Sequence, residues 1–269
     1  MYGHHLAYIL REENCRMLIN YPAARSTNKF WPDIPHGFSE VLIDSGGFQM
    51  QTGVAEVYLG AYALWLKLLL PNHPEIVGYM NIDVAGDPIK TMENLLYMEK
   101  EGLHPLPVWH EGHGMEYLDF YCSNYEWIAV GGFIAKSINS IRDFGEFHSG
   151  ESHGSHHYLD LLTLLTGLYP KNKFHLFGIG LSGIEAYKQI RAYSCDFNTW
   201  SAIGMFGHAI IRDNKRIIKE VAMSESDRQR LRTDKKFLAD VTREGVKNIK
   251  YFEDTLTKME NTEHKYLLF

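Results

Sequence analysis

Eight short β-rich runs, with few polar residues before their C-terminal ends, constrain this chain more than any other feature. They are RMLINYP (16–22), VLIDSGG (41–47), IVGYMNID (76–83), LPVWHE (106–111), WIAVGGF (127–133), FHLFGIG (174–180), SCDFNTWS (194–201) and GHAIIR (207–212). Runs of this kind suit parallel strands that are buried on both faces. Helical patterns fill most of the intervals, most clearly Val54–Leu70, Pro88–Glu101, His156–Leu168 and Ser182–Tyr193. Pro88 suits a first helical turn, and Ser182 with Glu185 makes a capping box. Strand–helix alternation through eight units predicts an α/β fold of the (β/α)₈ TIM-barrel type, for which about 250 residues is usual. The interval before the last run is short for a crossover helix. Helical patterns at 215–222 and 225–262 follow it, so the expected organisation is a barrel over 1–212 and a C-terminal helical extension, 213–269, packed on it.

Hydrophobic residues make up 45% of the 269 positions, enough for a full core, which excludes disorder. No run approaches the roughly 18 apolar residues of a membrane span, and MYGHHLAYILREENC lacks the parts of a secretory signal. The expectation is a cytoplasmic protein, in the host cytoplasm if a phage encodes it. Cys15, Cys122 and Cys195 are widely spaced, fitting neither a disulfide framework nor paired-cysteine zinc motifs, and reduced thiols are expected. The net charge of −6 argues against a uniformly basic nucleic-acid binder. It is unevenly placed, however: residues 1–211 carry 13 Lys+Arg against 22 Asp+Glu, and residues 212–269 carry 14 against 11. Arg228, Arg230, Arg232, Lys235 and Lys236 are the densest basic stretch, suited either to tracking phosphates or to a solvated helix face with i,i+4 ion pairs.

In a barrel of this type the active site forms at the C-terminal ends of the strands. Unusual residues collect there: Asp44, Asp83, His110 with Glu111, the Gly131-Gly132 pair, Gly178 and Gly180, and Asp196. A carboxylate directly after Val41, Leu42 and Ile43 is costly to bury unless it is partnered or used. The most specific string is Asp44-Ser45-Gly46-Gly47-Phe48-Gln49. Its glycines allow backbone amides to approach a planar ligand, Phe48 offers an apolar surface beneath it, and Ser45 and Gln49 offer hydrogen bonds.

At a strand end this string resembles the signature of the tRNA-guanine transglycosylase superfamily, which exchanges guanine in a nucleic acid for a 7-deazaguanine base. Asn81-Ile82-Asp83 followed by Pro88, Val130-Gly131-Gly132-Phe133-Ile134, and Phe177-Gly178-Ile179-Gly180 before Ser182 and Gly183 resemble further family segments in the same order, so the likeness spans about 40–205. The resemblance implies a covalent aspartyl–sugar intermediate without a cofactor. Asp196 is the nucleophile candidate, Asp44 moves the proton on and off the heterocycle, and Asp83 accepts from its Watson–Crick edge. Ser45, Gly46, Gly47, Phe48, Gln49, Gly131 and Gly132 surround the base, and His110 or Glu111 touches it. The family's segment carries two aspartates and uses the second, where Thr199 stands here; Asp196 is the carboxylate left in the run. Tyr21 either stacks on the base or caps the core.

Two departures shift the expected substrate. The cysteine–histidine zinc site of the tRNA enzymes has no counterpart, so no zinc subdomain and no metal are expected, and the likeness is greatest to the branch that inserts 7-cyano-7-deazaguanine into DNA. Where enzymes that use an aminomethyl base place a glutamate, this chain has Ser137, preceded by Lys136, which suits a neutral nitrile better than an ammonium. His148, His153, His156 and His157 read as a polar loop or lid rather than a metal site. The expected partners are DNA, with tRNA as the alternative, and a 7-deazaguanine base, with a homodimer or accessory proteins left open. A non-catalytic subunit of such an enzyme is the reading from a different class.

Overall fold

The computed structural model describes residues 8–26, 36–110, 112–131, 163–177, 192–196, 207–213, 218–259 and 267–268. Residues 8–12 form α1. Strand β1 (Met17–Asn20), α2 (Tyr21–Ser26), β2 (Val41–Asp44), α3 (Gly47–Gln51), α4 (Leu59–Leu69) and β3 (Ile76–Tyr79) follow. Then come α5 (Pro88–Lys100), β4 (Val108–His110), α6 (Met115–Asn124) and β5 (Trp127–Gly131). Residues 163–168 are helical, α7, and precede β6 (Lys173–Leu176) and β7 (Ser194–Cys195). The C-terminal part contains β8 (His208–Arg212), β9 (Ile218–Ala222), α8 (Glu225–Thr233), α9 (Lys235–Met259) and β10 (Leu267–Leu268). No helix among the described residues is long and apolar enough to cross a membrane.

Strands β1, β2 and β3 pair in parallel in that order, as do β4, β5, β6, β7 and β10. A parallel bridge between Met80 and Leu106 joins the two sets. The parallel strands therefore follow one another in chain order from β1 to β10, omitting only β8 and β9; among the described residues no pairing joins β10 to β1.

GHAIIR, expected as the eighth parallel strand, does not join this array: β8 pairs antiparallel with β9, His208 opposite Ala222 and Arg212 opposite Ile218. A parallel return needs a connection of a dozen or more residues, while a hairpin needs only a short one, such as 213–217. The segment 215–222, read as helical, thus contains a strand, and residues 213–269 are not a purely helical extension. The place beside β7 belongs to β10.

Three apolar clusters hold these elements. One contains Leu42, Met80, Leu106, Val108 and Ala129, with Leu18, Trp127, Phe177 and Tyr193 against them, so it gathers side chains from every strand or strand end from β1 to β7. Gly78 makes room for it: a Cβ there would meet Leu106 and Leu42 at 2.9 Å. The other two clusters lie between strands and helices, and α9 contributes to both. Its Leu238 and Val246 join Ile9, Ile19 and Ile43, whereas its Phe252 joins Phe174, Cys195 and Ile210. Each such side chain contributes about 1.5–3 kcal/mol when fully buried. The polar face of α9 grips the N-terminal segment through Arg243–Glu12 at 2.8 Å and an ion pair of Glu253 with Arg16, which also pairs with Glu40 before β2, and Asn248 Nδ2 donates to the Ile210 carbonyl at 3.0 Å.

Candidate active site

The strands deliver their last residues to one end of the array. Asn20 ends β1, Asp44 ends β2, His110 ends β4 and Gly131 ends β5, while Asp83 lies just past β3 and Asp196 directly past β7. Asp83 is fixed by its neighbours. Buried Asn81 accepts from Val108 N at 2.9 Å and donates to the Thr91 carbonyl at 3.1 Å, and Asn94 donates to the Ile82 carbonyl at 3.0 Å. The Asn81-Ile82-Asp83 segment is thereby tied to both β4 and α5, whose N-terminus is capped by Asp87 accepting from Lys90 N at 2.8 Å.

Asp44 is held on both oxygens. Asn20 Nδ2 donates to Oδ2 at 2.6 Å, and Gly46 N donates to Oδ1 at 3.1 Å. The second contact requires the chain to turn at Gly46, whose φ of 94° is left-handed backbone that favours glycine. Burial pushes the Asp44 carboxyl up to about 7, and the charges of Asp83 and Asp196 act in the same direction, against the two hydrogen bonds. A carboxyl that titrates near neutrality both gives and takes a proton at physiological pH.

Asp83 lies close to Asp44 but has different partners. His110 Nε2 is 2.6 Å from its Oδ2, and the buried Ser45 hydroxyl donates to its Oδ1 at 3.2 Å. Gly47 packs flat against the same carboxylate; a Cβ on Gly47 would overlap both oxygens. In the neutral tautomer that donates Nε2–H to Asp83, His110 presents Nδ1 as an acceptor, and this buried atom has no hydrogen-bond partner among the described residues. A Cβ built on Gly131 would lie 3.4 Å from His110 Cε1 and 3.4 Å from Phe177 Cδ2, so the end of β5 closes over the imidazole. The His113 ring is 5.1 Å from that of His110, and both of its buried nitrogens are likewise without partners among the described residues. Burial, and next the charge of His110, lowers the His113 pKa to about 4, so its ring is neutral at pH 7.

Asp196 has neighbours of its own at the end of β7. Its Oδ1 is 3.6 Å from Nε2 of the fully buried His175, whose Nδ1 is 2.9 Å from Ser194 Oγ. Its side chain keeps 22% of its exposure, which leaves it reachable by a ligand.

The expected residues thus divide. Asp44, Ser45, Gly46, Gly47, Gln49, Asp83, His110 and Gly131 come together, with Asp196 near enough for its charge to act on Asp44. Ser45 and Gln49, expected to meet a ligand, are bonded within the protein: Ser45 to Asp83, and Gln49 Oε1 to Asn20 Nδ2 at 2.9 Å. Phe48 is exposed on α3. Tyr21 is a core residue, 3% exposed, with its ring 4.9 Å from those of both Tyr62 and Trp65. Glu111, Gly132, Ser137, Thr199, Gly178 with Gly180, and the histidines from His148 to His157 lie outside the described residues. Asn20, His113 and His175 belong to the site although sequence reasoning did not select them. Asn20 carried a usable signal as the polar last residue of an apolar run, whereas His175 sits inside a run that reads as core.

The basic C-terminal residues lie on α8 and at the start of α9. Arg228 serves the fold: its Nε donates to the Met223 carbonyl at 3.1 Å, and its stem covers Gly207. Arg230 forms an i,i+4 pair with Asp234 at 3.2 Å and lies 4.1 Å over the Phe237 ring. Arg232, Lys235 and Lys236 are exposed.

Comparison with known proteins gives no match: no family model, no curated protein and no solved structure is significantly similar to this chain.

Proposed function

We propose that this chain is a transglycosylase that exchanges guanine in DNA for a 7-deazaguanine base, with the 7-cyano base favoured. The observation that carries the reading is the closeness of Asp44 and Asp83 at the C-terminal ends of parallel strands, with Asp196 at the end of β7 near enough for its charge to act on Asp44 and the Asp44 carboxyl raised to about 7. In the proposed reaction a carboxylate oxygen of Asp196 bonds to the sugar C1′ as the bond from C1′ to guanine N9 breaks, and the electron pair stays on the departing base. Protonated Asp44 delivers its proton to that base. The incoming base then loses its N9 proton to Asp44, and N9 displaces Asp196 from C1′, so the configuration at C1′ is retained. Asp83 orients His110, whose Nδ1 is placed to accept from a base N–H, and the remaining acceptor capacity of the Asp83 carboxylate serves the same edge.

The reading includes closure of the parallel strands into a (β/α)₈ barrel with β10 in the eighth place. Along an open sheet, the five steps from β2 to β7 would span about 24 Å at the usual strand spacing. The influence of Asp196 on Asp44, the single cluster touching β1 through β7, and the reach of α9 to both ends of the strand order all favour a curled array.

The test is mass spectrometry of nucleosides from DNA and tRNA after co-expression with a 7-deazaguanine supply. Modified deoxyguanosine positions with wild type, absent with Asp196→Ala, are expected. Modification confined to tRNA would change the substrate, and no modification of either would remove the enzyme reading.

A further inference from the structure

At the opposite end of the same strands, three side chains from two loops converge. His36 precedes β2, while His73 and Glu75 precede β3. Glu75 Oε1 is 3.1 Å from His36 Nδ1 and 3.3 Å from His73 Nδ1, and one ligand atom from each residue lies within 4.8 Å of the other two. We propose that His36, His73 and Glu75 form a site for a zinc-class divalent cation, distinct from the Asp44–Asp83 cluster by the length of a strand, roughly 13 Å for four residues.

The distances suit such an ion. With metal–ligand bonds of about 2.0–2.1 Å, two ligand atoms of a tetrahedral site are about 3.3–3.4 Å apart. Imidazole nitrogens with one carboxylate favour zinc, cobalt, nickel or copper over magnesium or calcium, which take oxygen ligands. The donors are also held in place. His73 is 4% exposed, its N–H bonds to the Leu70 carbonyl at 3.2 Å, and its own carbonyl accepts from Ile76 N at 3.0 Å. The Glu75 carbonyl accepts from Val41 N at 2.7 Å, which couples the turn to the first residue of β2. His36 is the exposed member, with 59% of its side chain accessible, and its ring lies 4.6 Å from that of His73. Two fixed ligands and one accessible ligand give an ion a route in and leave a coordination position for water. No local motif announces the trio, because His36 reaches His73 only through the pairing of β2 with β3. Its place at the N-terminal ends of the strands suits a clamp on the fold rather than a catalytic centre.

The test uses the full chain, with Zn²⁺ in equilibrium dialysis and Co²⁺ in visible absorption. Wild type should bind one equivalent at this site, with the Co²⁺ bands of a low-coordinate nitrogen–oxygen site, and its Tm should rise with added Zn²⁺. His36→Ala removes an exposed side chain without opening the core. It and Glu75→Gln should each lose that equivalent or weaken it by at least about tenfold, and abolish the Tm rise. Asn replacement of His148, His153, His156 and His157 together should leave the equivalent in place. The proposal is overturned if wild type binds neither ion, if His36→Ala and Glu75→Gln bind as wild type does, or if the equivalent is lost with the loop histidines instead. None of these readouts involves base exchange, so the site stands or falls independently of the proposed reaction.

Discussion

Replacing Asp44 by Asn tests the electrostatic argument at its centre, because the amide keeps the shape and removes the ionisation. The Asp44 carboxyl rises from 3.8 to about 7 on folding, first through burial and next through the charge of Asp83. The folded state therefore holds a proton that the unfolded chain releases between about pH 4 and 7, so wild-type stability falls as pH rises through that window. At about 1.36 kcal/mol per pK unit, the full effect is on the order of 4 kcal/mol, of which about 2.5 kcal/mol falls between pH 5 and 8. The amide nitrogen must face either Asn20 Nδ2 or Gly46 N, donors that now bond the two carboxylate oxygens, at a cost of about 1–3 kcal/mol that does not vary with pH. Urea unfolding of both proteins at pH 5, 6, 7 and 8 should show the variant gaining on wild type by about 2.5 kcal/mol from the lowest to the highest pH. A difference that stays constant across this range would refute the raised carboxyl, and with it the reason for giving Asp44 the proton-transfer role.

In Asp196→Asn, the Asp44 titration followed by carboxyl ¹³C NMR should move downward, since a like charge is removed; an unmoved midpoint would separate the two residues and count against a closed barrel. Gly47→Ala should cost at least about 2 kcal/mol in chemical unfolding despite alanine's better helix propensity, because its Cβ overlaps a carboxylate pinned by His110 and Ser45. Wild-type stability in that variant would mean Asp83 is free to move aside. Joint replacement of Arg232, Lys235 and Lys236 by Gln should flatten the salt dependence of DNA affinity by about 0.9 per lost phosphate contact on duplex, measured by fluorescence anisotropy. An unchanged slope would identify this surface as merely solvated.

The strand positions and the end at which polar residues gather were legible in one dimension. A parallel strand buried on both faces must be continuously apolar, so the point where RMLIN, VLID or VWH meets Asn20, Asp44 or His110 marks where the chain leaves the core. Helix α5 was equally readable, since Pro88 and the Asp87 cap act within a few residues of each other. Partner choice was not, because it depends on free energies between residues far apart in sequence. GHAIIR carries the composition of a strand, yet whether it joins the array beside β7 or folds back on β9 depends on connection lengths and on β10 occupying that place. Asp83 looked like a free acceptor and proved to be bonded to Ser45 and His110, while Tyr21 looked as much like a stacking platform as a core residue until Tyr62 and Trp65 surrounded it. Sequence alone determined which residues are polar at strand ends. Only the tertiary structure decided which of them share a proton, a hydrogen bond or a neighbouring charge, because those interactions fall off within a few ångströms and the chain brings their partners together only on folding.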